Sequence, residues 1–284
     1  MLTFPELEHI YSTHCQPSGQ KLYLLADHAG LPCLSRELRT NGIDWINLFG
    51  DDKRPALTSA SPLLIEVKFS NGRPVKRQVL QWLQENGQHS SSVLLMASPL
   101  EIQDLAQALS KRVDGILSEG EEIVIRFFDT RVLPKLMGVM KDDERKVWLS
   151  IASGWWFTNR DGMTEHIESE YQLHDNFHPP LSLSDDQMSR LLDASEVDQI
   201  AYLLESNVPE QFQIMNPVDR YRLLRAKMTT AKELGITQLG DLALYCGLAL
   251  LHGSDFDLQP PWHDVLLRVK ASEMTLAQAV ELVD

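Results

Sequence analysis

Cysteine is scarce in this 284-residue chain, basic charge is outnumbered, and long apolar runs are missing. Each shortage excludes a class of protein. The three cysteines, Cys15, Cys33 and Cys246, stand far apart and form no CxxC pair, which argues against a disulfide framework and a structural zinc site. They read as small buried hydrophobes. No apolar run approaches the roughly eighteen residues of a membrane helix. The opening MLTFPELEHIYSTH puts acids where a signal peptide would carry basic residues. A cytoplasmic protein without membrane association is expected. With 26 basic against 40 acidic residues the formal net charge is −14, which argues against nucleic acid as the main partner. There is also no Walker A loop, no GxSxG elbow, no HExxH pair and no GxGxxG turn.

What is present is the 43% hydrophobic content of an ordinary globular chain, enough for one large domain or two modest ones. The first half alternates strand-like runs with helical patterns. LYLLA (22–26), WINLF (45–49), LLIEVKF (63–69), VLLMA (93–97) and IVIRFF (123–128) read as strands. Helices are expected near 31–40, 75–86 and 99–112. The third of these has Ser98 as N-cap, Pro99 at the first position and Glu101 closing a capping box. A further helix is expected from Thr130 to about Lys141. RKVWLSIASGWWFT and HIESEYQL read as extended segments. Strands nearly continuous in apolar residues imply a sheet covered on both faces.

The tract HDNFHPPLSLSDD (174–186) is polar and carries Pro179-Pro180, and the hydrophobic period changes there from two to 3.6. It divides the chain into residues 1–178 and 179–284. Everything beyond it reads as helix. Ser184 with Gln187 opens a helix to about Leu204, and Asn216-Pro217 starts another that ends at Gly235. Thr237 caps a third, which ends near Gly253. Pro260-Pro261 precedes a fourth, and Thr275 with Gln278 caps the last. The expected fold is an α/β N-terminal lobe, a mixed sheet flanked by helices, followed by an all-α C-terminal lobe.

Few residues suggest chemistry. His174 and His178, with Asp175 and His166 nearby, have the i, i+4 spacing of zinc ligands, but a proline pair follows and a helix is not expected there. Asp255 and Asp257 read as a turn between helices, since calcium wants six or more oxygens. Asp27, Asp51 and Asp52 follow strands, the place where open α/β sheets bind ligands. With Asp129 and Arg126 or Arg131 they could form a hydrolase or phosphoryl-transfer site, although no nucleophile or phosphate cradle accompanies them. Asp129 itself is well placed as a helix N-cap, with Arg126 and Arg131 in ion pairs.

Two features suit a protein partner. From Glu165 to Met215 there are eleven acids against one base, Arg190, a net charge of −10, and Glu165, Glu168 and Glu170 lead this tract. Five bases between Pro217 and Leu234 reverse it. The adjacent Trp155 and Trp156 point to opposite faces of a strand. One of them is expected in the core and the other as an interface anchor.

Arg126-Phe127-Phe128-Asp129-Thr130-Arg131-Val132-Leu133 resembles the RFYDPRVL signature of the type VI secretion effector adaptors. Tyr23-Leu24-Leu25-Ala26-Asp27, Asn47-Leu48-Phe49-Gly50 and Ser61-Pro62-Leu63-Leu64 resemble further elements of that family, in the same order, across roughly residues 20–140. GITQLGDLALYCGLALLHGSDFDLQPPW resembles the C-terminal lobe that many members carry. Thr130 replaces the family's proline and Phe128 its tyrosine, which removes a hydroxyl. The resemblance implies a non-enzymatic cytoplasmic chaperone without a cofactor. It would bind a cognate effector and help load it onto the valine-glycine-repeat (VgrG) spike, sometimes through the spike's PAAR tip. Asp27, Arg126, Asp129 and Arg131 then serve as a structural signature.

Overall fold

Strand β1 (Lys21–Asp27) is apolar on both sides, and the layering of the first half follows from that. The chain is described in a computed structural model, which covers residues 3–50, 61–87 and 90–283. It divides into two compact units, Met1–Leu191 and Leu192–Asp284. In the first, alternate residues of β1 enter two separate cores. Tyr23 and Leu25 belong to one, and Leu22, Leu24 and Ala26 to the other.

Helix α1 (Phe4–Ile10) precedes β1, starts at a Thr3–Glu6 capping box and continues into a π-helical turn, Tyr11–Cys15. After β1 come α2 (Leu34–Thr40), β2 (Ile46–Asn47), β3 (Pro62–Val67), a ribbon of β4 (Phe69–Ser70) and β5 (Arg73–Pro74), and α3 (Arg77–Gly87). Next are β6 (Val93–Ser98), α4 (Ile102–Lys111), β7 (Asp114–Leu117) and β8 (Glu122–Val124). The unit continues with α5 (Leu133–Val139), α6 (Asp142–Leu149), β9 (Gly154–Thr158), β10 (Thr164–Glu168) and β11 (Leu181–Leu183). The principal sheet has the order β10-β9-β6-β1-β3-β2 and is antiparallel throughout. A smaller sheet, β11-β7-β8, is mixed, with β11 parallel to β7. Residues from α1, α2 and α3 fill the core on one face of the principal sheet. Those from α4, α5 and α6, with Leu181 and Leu183, fill the other. The expected α/β lobe is therefore present, with both sheet faces covered.

Several local expectations differ. Ser98 ends β6 instead of capping α4. Its hydroxyl donates to the Ile151 carbonyl at 2.7 Å, and α4 takes its N-cap one turn later, at Glu101. IVIRFF is extended only to Val124, after which Phe127 and Phe128 are drawn into the core by a turn. RKVWL lies in α6, where Asp142, Asp143 and Glu144 occupy the first turn, a charge placement that favours a helix. The boundary read after residue 178 gives way to one inside α7 (Asp185–Ala194). Residues 181–183 extend the small sheet, and the Gln187 and Arg190 side chains donate to the Val139 and Gly138 carbonyls. These bonds hold the chain to the first unit as far as Leu191.

The second unit is helical among its described residues: α8 (Glu196–Asn207), α9 (Pro209–Ile214), α10 (Pro217–Glu233), α11 (Leu239–His252), α12 (Trp262–Lys270) and α13 (Leu276–Val283). α11 forms its centre, with Leu242, Tyr245, Cys246 and Ala249 buried. The Asn216 side chain caps α10 by accepting from Asp219 N at 3.0 Å, and Thr275 and Gln278 close a capping box on α13. The helix expected from Ser184 to Leu204 breaks at Ser195, and Gln238 takes the N-cap place assigned to Thr237.

Candidate functional site

The motif at residues 125–131 alternates core and charge. Ile125, Phe127 and Phe128 are buried, whereas Arg126 turns outward and meets Asp27 at the end of β1. Arg126 Nη2 donates to Asp27 Oδ2 at 2.7 Å, and Asp27 Oδ1 accepts from Ala29 N at 3.0 Å. Asp27 is 3% exposed, so the guanidinium neutralises a carboxylate that water barely reaches. Three residues beyond Arg126, Asp129 accepts from the Arg131 backbone N–H at 2.9 Å and from its Nε and Nη2 at 2.9 and 2.6 Å. This fork geometry is the strong form of the arginine–carboxylate pair. The bonds stabilise a turn. They do not cap α5, whose N-cap is Val132 with no side-chain bond. Asp129 and Arg131 are separated only by Thr130, so the shortest closed structure available to them is this turn. Thr130, which stands where the signature it resembles has proline, donates its N–H to the Ser91 carbonyl at 2.8 Å, a bond proline could not make.

The carboxylates offered for an enzymatic reading are thus placed in pairs, Asp27 with Arg126 and Asp129 with Arg131. Asp51 and Asp52 lie outside the described residues. Asp175, from the histidine tract, is drawn into a different structure. Arg112, wholly enclosed, reaches both of its oxygens at 2.8 and 3.0 Å and donates to the carbonyls of Trp148 and Ala108. Its guanidinium also lies over the rings of Trp148 and Phe177. Burial alone would raise the Asp175 carboxyl, but Arg112's hydrogen bonds and charge outweigh it and hold the group below the usual carboxylate range. Residues 174–178 are not helical. Asp257, from the acidic turn, accepts from Lys227 Nζ through both oxygens at 2.8 Å and from the Tyr245 hydroxyl at 2.6 Å. Burial pushes its carboxyl up, and the Lys227 ammonium with the Tyr245 hydroxyl brings it lower overall. Among the described residues no group of three or more His, Cys, Asp or Glu is arranged to hold a metal ion.

The tryptophan expectation is corrected by the two-sided core. Trp155 enters the core on the α4 side and Trp156 the core on the α1 side, and neither indole is an interface anchor. His166 covers Trp156 instead, stacked at 4.5 Å and 1° between the planes, with His14 edge-on to both rings. The outer side of the His166 ring is exposed. Its inner side is desolvated, and that burial together with the neighbouring His14 lowers its pKa, while Glu168 opposes the shift. His166 stands on β10, an edge strand that also carries Glu165 and Glu168, both exposed, with Glu170 just beyond. Glu165 accepts from Asn159 Nδ2 at 2.6 Å. Charged side chains on an exposed edge suppress indiscriminate strand pairing.

Arg112 and the Lys227–Tyr245–Asp257 cluster escaped the sequence reading. No spacing links residues 112 and 175, so only the three-dimensional contact discloses that pair. Lys227 and Asp257 carry a faint signal, a base and an acid on helical segments of one lobe.

No helix among the described residues is long and apolar enough to cross a membrane. Residues 22–147 match the model of a family described as a domain of unknown function, DUF4123. The match starts in β1, ends in α6 and includes Asp27, Arg126, Asp129 and Arg131. No curated protein and no solved structure matches the chain.

Proposed function

We propose that this chain is a non-enzymatic adaptor that binds a cognate type VI secretion effector in the cytoplasm and helps load it onto the VgrG spike or its PAAR tip. One observation carries the reading. The DUF4123 match, a family associated with such adaptors, spans the segment in which the signature residues form the Asp27–Arg126 and Asp129–Arg131 pairs. Those pairs support a framework role for the motif and leave recognition to the surface. The acidic edge at Glu165, Glu168 and Glu170 is the face we assign to the effector, through complementary charge that speeds encounter.

Co-expression with the protein encoded beside it tests the adaptor role. Co-purification of an effector or spike component is expected, and failure to bind any neighbouring candidate would overturn it. Glu165→Lys, Glu168→Lys and Glu170→Lys together should slow association and blunt its salt dependence without altering thermal stability. Unchanged association kinetics would remove this face from the proposal.

A further inference from the structure

At the edge of the principal sheet opposite β10, the pairing of β3 is incomplete. Ile46 faces Leu64, and Leu48 N donates to the Pro62 carbonyl at 3.1 Å. Hydrogen-bonded positions of an antiparallel ladder recur at every second residue, so the next is Glu66. Its partner on β2's side would be Asp44, but β2 begins only at Ile46. One position further on, the Lys68 carbonyl is occupied by Val75 N at 2.8 Å. Glu66 is therefore a single open rung between two closed ones, and no backbone bond on that side joins it to the described residues.

A groove of about 280 Å³ opens at this rung. Its apolar floor includes Val67, Val79 and Leu83, which are buried, and Val75 at its rim is 41% exposed. Lys68 and Lys76 line the end where Val75 bonds Lys68. Lys76 Nζ donates to the Asn41 carbonyl, and neither ammonium has a carboxylate within salt-bridge distance among the described residues. Two such lysines beside an apolar groove stand out in a chain of net charge −14.

We infer that this groove captures the carboxy-terminal end of another polypeptide. The open rung offers one N–H and one C=O to a peptide main chain. The closed rungs on either side exclude a long added strand, so the occupant enters by an end. The lysines select the end that bears a carboxylate, and the floor accepts an apolar final side chain. Asp44 and Glu66, which also line the groove, disfavour a second negative charge on the occupant. This inference is independent of the adaptor reading, since it concerns the chain end that is gripped and not its source.

The test uses the full chain and a pool of free-acid peptides of about four residues with varied apolar final residues. The same pool with amidated ends and decanoate serve as comparison probes. Free-acid peptides should bind and slow hydrogen exchange at the Glu66 amide. Amidation, and separately Lys68→Gln or Lys76→Gln, should each weaken binding at least about tenfold while the melting temperature stays unchanged. Val75→Asp, at a half-exposed position, should abolish binding without unfolding the chain. Equal binding of acid and amide peptides would overturn the inference. So would absence of binding by every peptide, or binding of decanoate alone, which would make the groove a site for small carboxylates.

Discussion

Each unit buries a charged pair, but the two pairs have different reach. In the first unit Arg112 and Asp175 are 63 residues apart, and the guanidinium ties α4, the end of α6 and the segment before β11 together through carbonyls, a carboxylate and two rings. In the second, Lys227 and Asp257 are 30 residues apart, and with Tyr245 they fasten one short 3-10 turn, Phe256–Leu258, to α10 and α11. An antiparallel sheet with non-consecutive neighbours relies on long-range ties, and a planar fork with five donors supplies several at once. A helical unit packs mainly through neighbours in sequence and needs only a point charge at a turn. Breaking the first pair should therefore disturb more structure than breaking the second.

The largest effect is expected from Arg112→Met. It leaves Asp175 without its charge partner and the Trp148 carbonyl without the Arg112 donor, and should cost about 3–5 kcal/mol, measured by denaturant unfolding. A loss below that of the next variant would break the comparison. Asp257→Asn strands the Lys227 ammonium, which is slightly more exposed, and should cost about 3 kcal/mol. Both carboxyls are depressed in the folded chain. Their contribution is thus present above the unfolded carboxyl value of about 3.9 and lost as pH falls through the folded value. Melting temperatures should fall below about pH 4, and less steeply for Asp257→Asn than for the native chain.

A smaller loss, about 0.5–2 kcal/mol, is expected from Asp129→Ala, which removes bonds that Arg131 can partly replace with water. Loss of effector binding at unchanged stability would move Asp129 from framework to interface. The smallest effect concerns His166. Its folded pKa lies below the ordinary 6.5. The folded chain therefore takes up this proton less readily than the unfolded one, and its contribution is intact above pH 6.5 and lost as pH falls below it. His166→Gln should flatten the stability profile of the first unit between about pH 7 and pH 5.

Legibility in the sequence followed the range of the interaction. The boxes at Ser184–Gln187 and Thr275–Gln278 and the cap at Asn216 form as the local pattern requires, because both partners lie within one turn. The strands at β1, β3 and β6 were equally plain, since a run buried on both faces is apolar throughout. Ser98 misled because the capping pattern is also satisfied by a strand end, and its hydroxyl found a carbonyl 53 residues away. The paired signature at Asp27 and Arg126 was visible as a motif, but its partnership across 99 residues was not. Trp155 and Trp156 were ambiguous for a related reason. Whether a second face is covered depends on α1, far ahead in the chain, and on His166 from the next strand.

The cysteines bear on how these proposals can be tested. Cys15 and Cys246 are buried, and burial pushes both thiols up to about 12, whereas Cys33 is exposed at the start of α2, contrary to the expectation of three buried thiols. A thiol-directed dye applied near neutral pH should therefore attach to Cys33 alone. The unaltered chain then carries a single fluorescent handle in its sheet unit, through which peptide or effector binding can be followed without an engineered label.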